Sequence, residues 1–196
     1  MIGGFNPPLG LVSVVLADAN VLYSRVLRDY LLYAAAEQLI SIRWSQRILD
    51  EFAKHLIANI AGFDREQAQR LFEGMNAAFP DALVAPVSGH YQRLKSLHMP
   101  DPDDRHVVAA AVAAEADILC TSNTKHFPGL VMDRVGVIRL TPDELLAELL
   151  RAHPEEMLRV HRTSVERLKG ATDESTLAAL RRAGAPRTAD LMEDLL

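Results

Sequence analysis

The segment Leu11 to Asp18, LVSVVLAD, constrains the fold of this 196-residue chain more than any other stretch. It is too short for an ordinary helix, rich in β-branched residues and apolar enough to be buried on both faces, as central strands of parallel sheets are. It ends in an acid. From Asn20 to Gln38 the apolar residues Val21, Leu22, Val26, Leu27, Tyr30, Leu31 and Ala34 recur at helical spacing, which predicts a helix that lays one face on that strand. Ile40 to Trp44 is a second strand. Ser45 can cap a helix whose buried stripe is Ile48, Leu49, Phe52, Leu56 and Ile60, with Gly62 at its end. A further helix covers Asp64 to Phe79, Pro80 breaks it, Ala82 to Pro86 is extended, and Ser88 to His98 is weakly helical.

Asp101-Pro102-Asp103-Asp104 opens the next helix, with Asp101 as N-cap, Pro102 at the first helical position and two acids in the first turn. That helix runs to about Ala116. Asp117 to Ser122 and Gly136 to Leu140 follow as strands, and Thr141-Pro142 starts another helix. The alternation predicts an α/β fold, a three-layer sandwich around a mostly parallel sheet. Beyond Ala152 only helical patterns remain, over Pro154 to Gly170, Ser175 to Arg182 and Pro186 to Leu196. The expected organisation is an N-terminal extension over 1–12, the α/β domain over 13–152 and a helical C-terminal appendage over 153–196. A basic stretch (Arg151, His153, Arg159, His161, Arg162, Arg167, Lys169) is interleaved with Glu155, Glu156 and Glu166, as on a solvated helix face; contact with RNA phosphates is the other reading. The appendage's apolar positions, including Leu158, Leu177, Leu180 and Leu191, suit packing on a dimer mate or a partner protein.

Composition excludes several classes. With 49% hydrophobic and 24% charged residues the chain is an ordinary globular one, and a net charge of −5 argues against a broad basic surface for nucleic acid. No apolar run approaches the ~20 residues that span a bilayer, and the opening Met1 to Gly10 lacks the basic start of a secretory signal. The single cysteine, Cys120, permits no internal disulfide, so a cytoplasmic location is expected; within its apolar strand it reads as a buried, inert thiol. GxGxxG, P-loop and GxSxG signatures are absent, and the seven histidines form no HExxH pair.

In an open parallel sheet, ligands bind along the edge where strands end and the following helices begin. Asp18 ends the first strand, Asn123 follows the Asp117 to Ser122 strand, Glu51 lies about two turns into the helix after the second strand, and Asp104 can reach the same edge if its helix points that way. Each has a local explanation as a turn, cap or exposed helix residue. Acids from separate segments at one edge would nevertheless repel one another and need a counter-charge, for which a divalent cation is usual. Carboxylates beside Asn20, Thr121, Ser122 and Asn123 are hard oxygen ligands, suited to Mg²⁺ or Mn²⁺ rather than zinc. Such a cluster suits phosphodiester hydrolysis.

Three segments in order, VVLADANVLYS, ILDEF and DPDDRHVVAAAVAAEADILCTSNTKHFP, resemble PIN-domain proteins, the VapC-type toxin ribonucleases in particular, over about residues 13–140. The resemblance implies that 13–152 is a PIN-like nuclease domain in which Asp18, Glu51 and Asp104 hold Mg²⁺ or Mn²⁺ for RNA cleavage. Asn123 stands where many members have a fourth acid, Asn20 and Thr121 match polar positions lining the pocket, and Asp101 and Asp103 are assigned capping and outer-sphere roles. A homodimer neutralised by a small antitoxin is implied as well. Two alternatives stay open: a PIN-fold RNA- or protein-binding module with weak or no catalysis, favoured by Asn123 and the negative charge, and a phosphatase with Asp18 as nucleophile. The second lacks the acid that such chemistry usually has two residues on, where this chain has Asn20.

Overall fold

The computed structural model describes residues 12–196; residues 1–11 of the expected N-terminal extension, Leu11 among them, lie outside the described residues. Five strands form the sheet: β1 (Ser13–Ala17), β2 (Ile40–Ser45), β3 (Leu83–Val84), β4 (Ile118–Cys120) and β5 (Ile138–Leu140). Their order is β3-β2-β1-β4-β5, and every neighbouring pair is parallel. Val15 lies between Ile42 on one side and Ile118 on the other. Parallel neighbours need crossovers, and helices supply them. Helices α1 (Ala19–Tyr23) and α2 (Arg25–Ala36) join β1 to β2, and α3 (Gln46–Asn59) and α4 (Arg65–Ala78) join β2 to β3. Helix α5 (Ser88–Arg93), a 3₁₀ turn (Pro102–Asp104) and α6 (Arg105–Ala113) lead to β4, and α7 (Gly129–Val135) leads to β5. Four helices follow: α8 (Pro142–Ala152), α9 (Pro154–Glu166), α10 (Asp173–Arg182) and α11 (Pro186–Glu193). The result is the expected three-layer α/β sandwich.

The central strands are apolar on both faces because both faces are covered. Val15, Leu16, Ala17, Ile118, Leu119 and Cys120 are all fully buried, and burial pushes the Cys120 thiol pKa up, so the thiol stays protonated and inert. Trp44, Tyr30, Phe52 and Phe127 are the largest buried side chains, each stabilising the fold by about 1.5–3 kcal/mol on transfer from water. Trp44 Nε1 donates to Asn76 Oδ1 at 2.9 Å, which ties α4 to β2 without leaving the indole N–H unpaired.

The structure changes three local expectations. The single helix expected over Asn20 to Gln38 is broken at Ser24, whose backbone is extended (φ −70°, ψ 112°). Arg28 reaches back across the break and donates to the Leu22 carbonyl at 2.7 Å, replacing a bond the helix would have made. The weak helix from Ser88 ends at Arg93 rather than His98.

The third change concerns the C-terminal helices. His153 closes α8 and opens α9, so no linker separates them. Helix α9 packs along α2 and α11 against α8, and Met157, Val160, Leu177, Leu180, Ala189 and Met192 belong to the same apolar cluster as the sheet residues. Leu177 and Leu180 therefore cover this chain's own core instead of a partner. The buried carboxylate of Asp143 in α8 caps the start of α11, accepting from Thr188 N and Thr188 Oγ1, both at 2.9 Å. The basic stretch is not a uniformly solvated face either. Arg159 pairs with Glu37 just beyond α2, and His161 is fully buried between the Tyr30 hydroxyl at Nδ1 and Asp173 Oδ1 at Nε2, 3.1 Å away. A neutral ring that accepts from Tyr30 and donates to Asp173 satisfies both bonds.

Two outcomes follow from this packing. Leu180→Ala should lower stability in urea denaturation by about 2–5 kcal/mol, as for other buried leucines, and a change near zero would detach α10 from the core. Burial lowers the pKa of His161 from its ordinary 6.5 despite the opposing Asp173 bond. The folded state thus favours the neutral ring, so its contribution to stability is full above pH 6.5 and is lost as pH falls below that value. Unfolding free energy measured between pH 7.5 and 5 should fall less steeply in His161→Gln than in the parent; equal slopes would refute this.

Candidate active site

The sheet order reverses between β1 and β4: from β1 the chain winds outward to β2 and β3 on one side, then returns to β4 and β5 on the other. A crevice opens at the carboxyl ends of strands on either side of such a switch point. Asp18 and Thr121 stand there as the first residues beyond β1 and β4. Asp18 N donates to Cys120 O at 3.0 Å, extending the ladder by one bond and fixing the two residues side by side.

Asp18 is only 5% exposed, and burial is the largest influence on it, raising its pKa. Local donors oppose that effect. Ala19 N donates to Oδ1 at 2.7 Å, Thr121 Oγ1 donates to Oδ2 at 2.7 Å, and Asn20 Nδ2 donates to the same Oδ2. The donors are themselves held: Asn20 Oδ1 accepts from Ser122 N at 2.9 Å, and Thr121 Oγ1 accepts from Asn123 N at 3.0 Å. Ser122 and Asn123 thus join through their backbone N–H groups, and the Ser122 side chain lies on the surface.

Glu51 reaches the crevice from α3. Ser45 Oγ caps that helix at Ile48 N, and the stripe Ile48, Leu49, Phe52 and Leu56 faces inward, which leaves Glu51 half-buried at the stripe's edge. Its pKa is raised by burial first, then by Asp18, with Asp104 adding to it and Arg47 and Lys54 opposing. Asp104 likewise raises Asp18. The three acids therefore share one electrostatic neighbourhood.

Among the described residues, however, the group of three or more His, Cys, Asp and Glu side chains whose ligand atoms all come within 4.8 Å of one another is Asp101, Asp104 and His126. Asp104 has a near partner there: His126 Nδ1 lies 2.6 Å from its Oδ2 and 3.9 Å from Asp101 Oδ2. The loop carrying His126 is fixed by buried Phe127 and by Arg139 of β5, which donates to the Thr124 and Phe127 carbonyls at 2.8 and 2.6 Å. Asp101 caps the 3₁₀ turn by accepting from Asp103 N at 2.9 Å. Asp103 is exposed and meets the site only through its carbonyl, which Arg47 approaches at 3.5 Å.

Residues 14–125 match the family described as PIN domain, and that segment contains Asp18, Glu51, Asp104 and Asn123. The chain belongs to the PIN domain family. Over 85 residues it is 33% identical to the protein named "Putative ribonuclease VapC50" of Mycobacterium tuberculosis (strain ATCC 25618 / H37Rv). That match covers 42% of this chain and 44% of the relative, so the chain spans less than half the length of the curated protein it matches. No solved structure matches.

Two residues of this PIN domain's crevice escape sequence reasoning. His126 lies one position beyond the matched segment, and His106 lies two residues after Asp104 at the start of α6. His106 is 2% exposed, and burial, with the Arg47 guanidinium adding to it, holds its pKa down to about 4, so the ring is neutral at pH 7. The only signal in the sequence is a histidine inside a run of small and β-branched residues.

The donor set fits a hard divalent cation: it offers carboxylate oxygens, and burial and neighbouring acids raise the pKa values of Asp18 and Glu51 more than Arg47 and Lys54 lower that of Glu51. In chelator, Glu51→Gln should raise the melting temperature at pH 7 by removing that repulsion. Added Mn²⁺ should then stabilise the parent more than the variant; an unchanged or lower melting temperature in chelator would contradict the electrostatic reading.

Proposed function

We propose that this PIN-domain protein is a metal-dependent endoribonuclease that hydrolyses RNA phosphodiester bonds, and that it serves as the toxin of a type II toxin–antitoxin pair. What supports the reading is that Asp18 stands at the switch point of the sheet and that the charges of Asp18 and Asp104 act on Glu51, and that of Asp104 on Asp18, with Asp18 and Glu51 both raised in pKa, burial first. In this reading the three acids hold Mg²⁺ or Mn²⁺. The cation supplies Lewis-acid stabilisation of charge on the phosphodiester and acidifies water at the site. Without it the carboxylates would repel an RNA phosphate.

The chain's own groups then have distinct tasks. Thr121 and Asn20 donate to one oxygen of Asp18 and fix its orientation, and the backbone N–H groups of Ser122 and Asn123 hold those two donors in place. His126 holds Asp104 through Oδ2, which leaves Oδ1 for the cation. Asn123, in the position of a fourth acid, adds no charge, so one cation balances this site better than two. Asp101 acts through its cap and its proximity to His126, and Asp103 stays peripheral.

RNA as substrate, a small antitoxin as partner, a homodimeric state and a cytoplasmic location are parts of the same reading; they rest on the family and on the relative's name. No helix among the described residues is long and apolar enough to cross a membrane.

Metal-stripped protein incubated with a pool of tRNA and ribosomal RNA should yield discrete fragments only after Mg²⁺ or Mn²⁺ is added. Asp104→Asn should reduce the rate at least about 100-fold, as expected when several kcal/mol of transition-state stabilisation is lost. Cleavage that persists in EDTA, or in Asp104→Asn, would refute the assignment. RNA retained in EDTA with no cleavage under any condition would favour the binding-module alternative.

A further inference from the structure

His106 is buried in the first turn of α6, and among the described residues neither of its ring nitrogens has a hydrogen-bond partner. An unsatisfied buried polar group costs about 1–3 kcal/mol, and native proteins keep few of them. Leucine or valine there would continue the apolar surface of Val107, Val108 and Ala109 at no such cost. The ring is not remote from polar groups, however. Nε2 lies 2.8 Å from Glu51 Oε1, close enough for a bond, but at an angle outside hydrogen-bond geometry. The terminal torsion of a glutamate side chain is soft, so a small rotation of the Glu51 carboxylate would align the pair at little cost.

We propose that His106 is the positioning residue for Glu51: an N–H donor, held ready in the core, that orients the carboxylate when it binds the divalent cation. The proposal rests on the reading of Glu51 as a metal ligand. Carboxylates that ligate metals are themselves hydrogen-bonded, and losing such a partner typically weakens metal binding. Arg47 is the rival support, and it is the weaker one. Its Nε stands 4.0 Å from Glu51, its side chain is half exposed, and its terminal nitrogen is engaged with the Asp103 carbonyl. An exposed pair of that kind contributes about 0–1 kcal/mol and fixes no orientation. His106, immobilised by packing on all sides, does fix one.

Three variants of the full chain test this: His106→Leu, which removes the donor; His106→Gln, whose amide nitrogen reaches about as far as Nε2; and His106→Asn, whose amide reaches only as far as Nδ1. Mn²⁺ affinity is measured by calorimetry, melting temperature in EDTA, and RNA cleavage with Mn²⁺. His106→Leu should bind Mn²⁺ about 10–100-fold more weakly while melting in EDTA at or above the parent temperature, since it replaces an unsatisfied polar group with an apolar one. His106→Gln should recover most of the affinity and His106→Asn should not. Should His106→Leu fail to fold, the comparison of Gln with Asn decides alone. Parent-like affinity and cleavage in His106→Leu would overturn the proposal while leaving the metal reading intact. Losses of affinity that merely track losses of melting temperature in EDTA across the three would overturn it too. A parent protein that binds no Mn²⁺ would bring down the metal reading and this inference with it.

Discussion

A buried carboxylate at the end of the central strand governs the rest of the structure. Asp18 must lose most of its contact with water because β1 is flanked by strands on both sides and covered by helices on both faces. Such a group is tolerated only if donors are brought to it. The parallel pairing of β1 with β4 does this directly, since it sets Thr121 beside Asp18 at the strand ends. The chain's first turn after β1 supplies the rest, through Ala19 N and the Asn20 amide. The site is thus made by the same hydrogen-bond ladder that makes the sheet.

The remaining acids follow from topology. Once all five strands run parallel, the helix after β2 must begin on the same edge as the residue after β1, so Glu51 and Asp18 are neighbours in space though a complete helix–strand crossover separates them in sequence. Asp104 arrives by a different route. The 3₁₀ turn capped by Asp101 feeds directly into α6, and the start of that helix meets α3 where His106 touches Glu51. Three carboxylates gathered this way destabilise one another, and natural sites keep such an arrangement when a ligand compensates for it.

Much of this was legible in the residues alone. Asp18, Thr121 and Asn123 stand where apolar runs stop, and strand ends are easy to locate when the run is β-branched and short. Glu51 follows from helix phase, because the stripe Ile48, Leu49, Phe52 and Leu56 determines which side of α3 faces the sheet. The histidines were not legible. Whether a ring is buried, and which nitrogen faces an acid, depends on where the packing of α6 on α5 and β2 sets His106 and on the loop held by Arg139 for His126, and no periodicity reports either. The C-terminal helices show a related gap. An amphipathic stripe such as Leu177 and Leu180 announces that a face will be covered but not by whom. Here it is the chain's own α2 layer, joined through the Tyr30, His161 and Asp173 contacts and the Asp143 cap.

The contrast between the two crevice histidines bears on how a site of excess negative charge can fold before any cation arrives. His126 is partly exposed and lies against Asp104, so it can offer a donor at a small desolvation cost while water screens the rest. His106 is buried and neutral, so it can offer Glu51 only a dipole, not a counter-charge. Asp104 thus has a close histidine partner and Asp18 has uncharged donors, while Glu51 has the more distant Arg47 and Lys54. Replacing His106 by a buried cation would neutralise Glu51 permanently and, in the proposed metal reading, weaken the attraction of the site for a divalent ion. A neutral, buried donor orients the ligand and keeps that attraction.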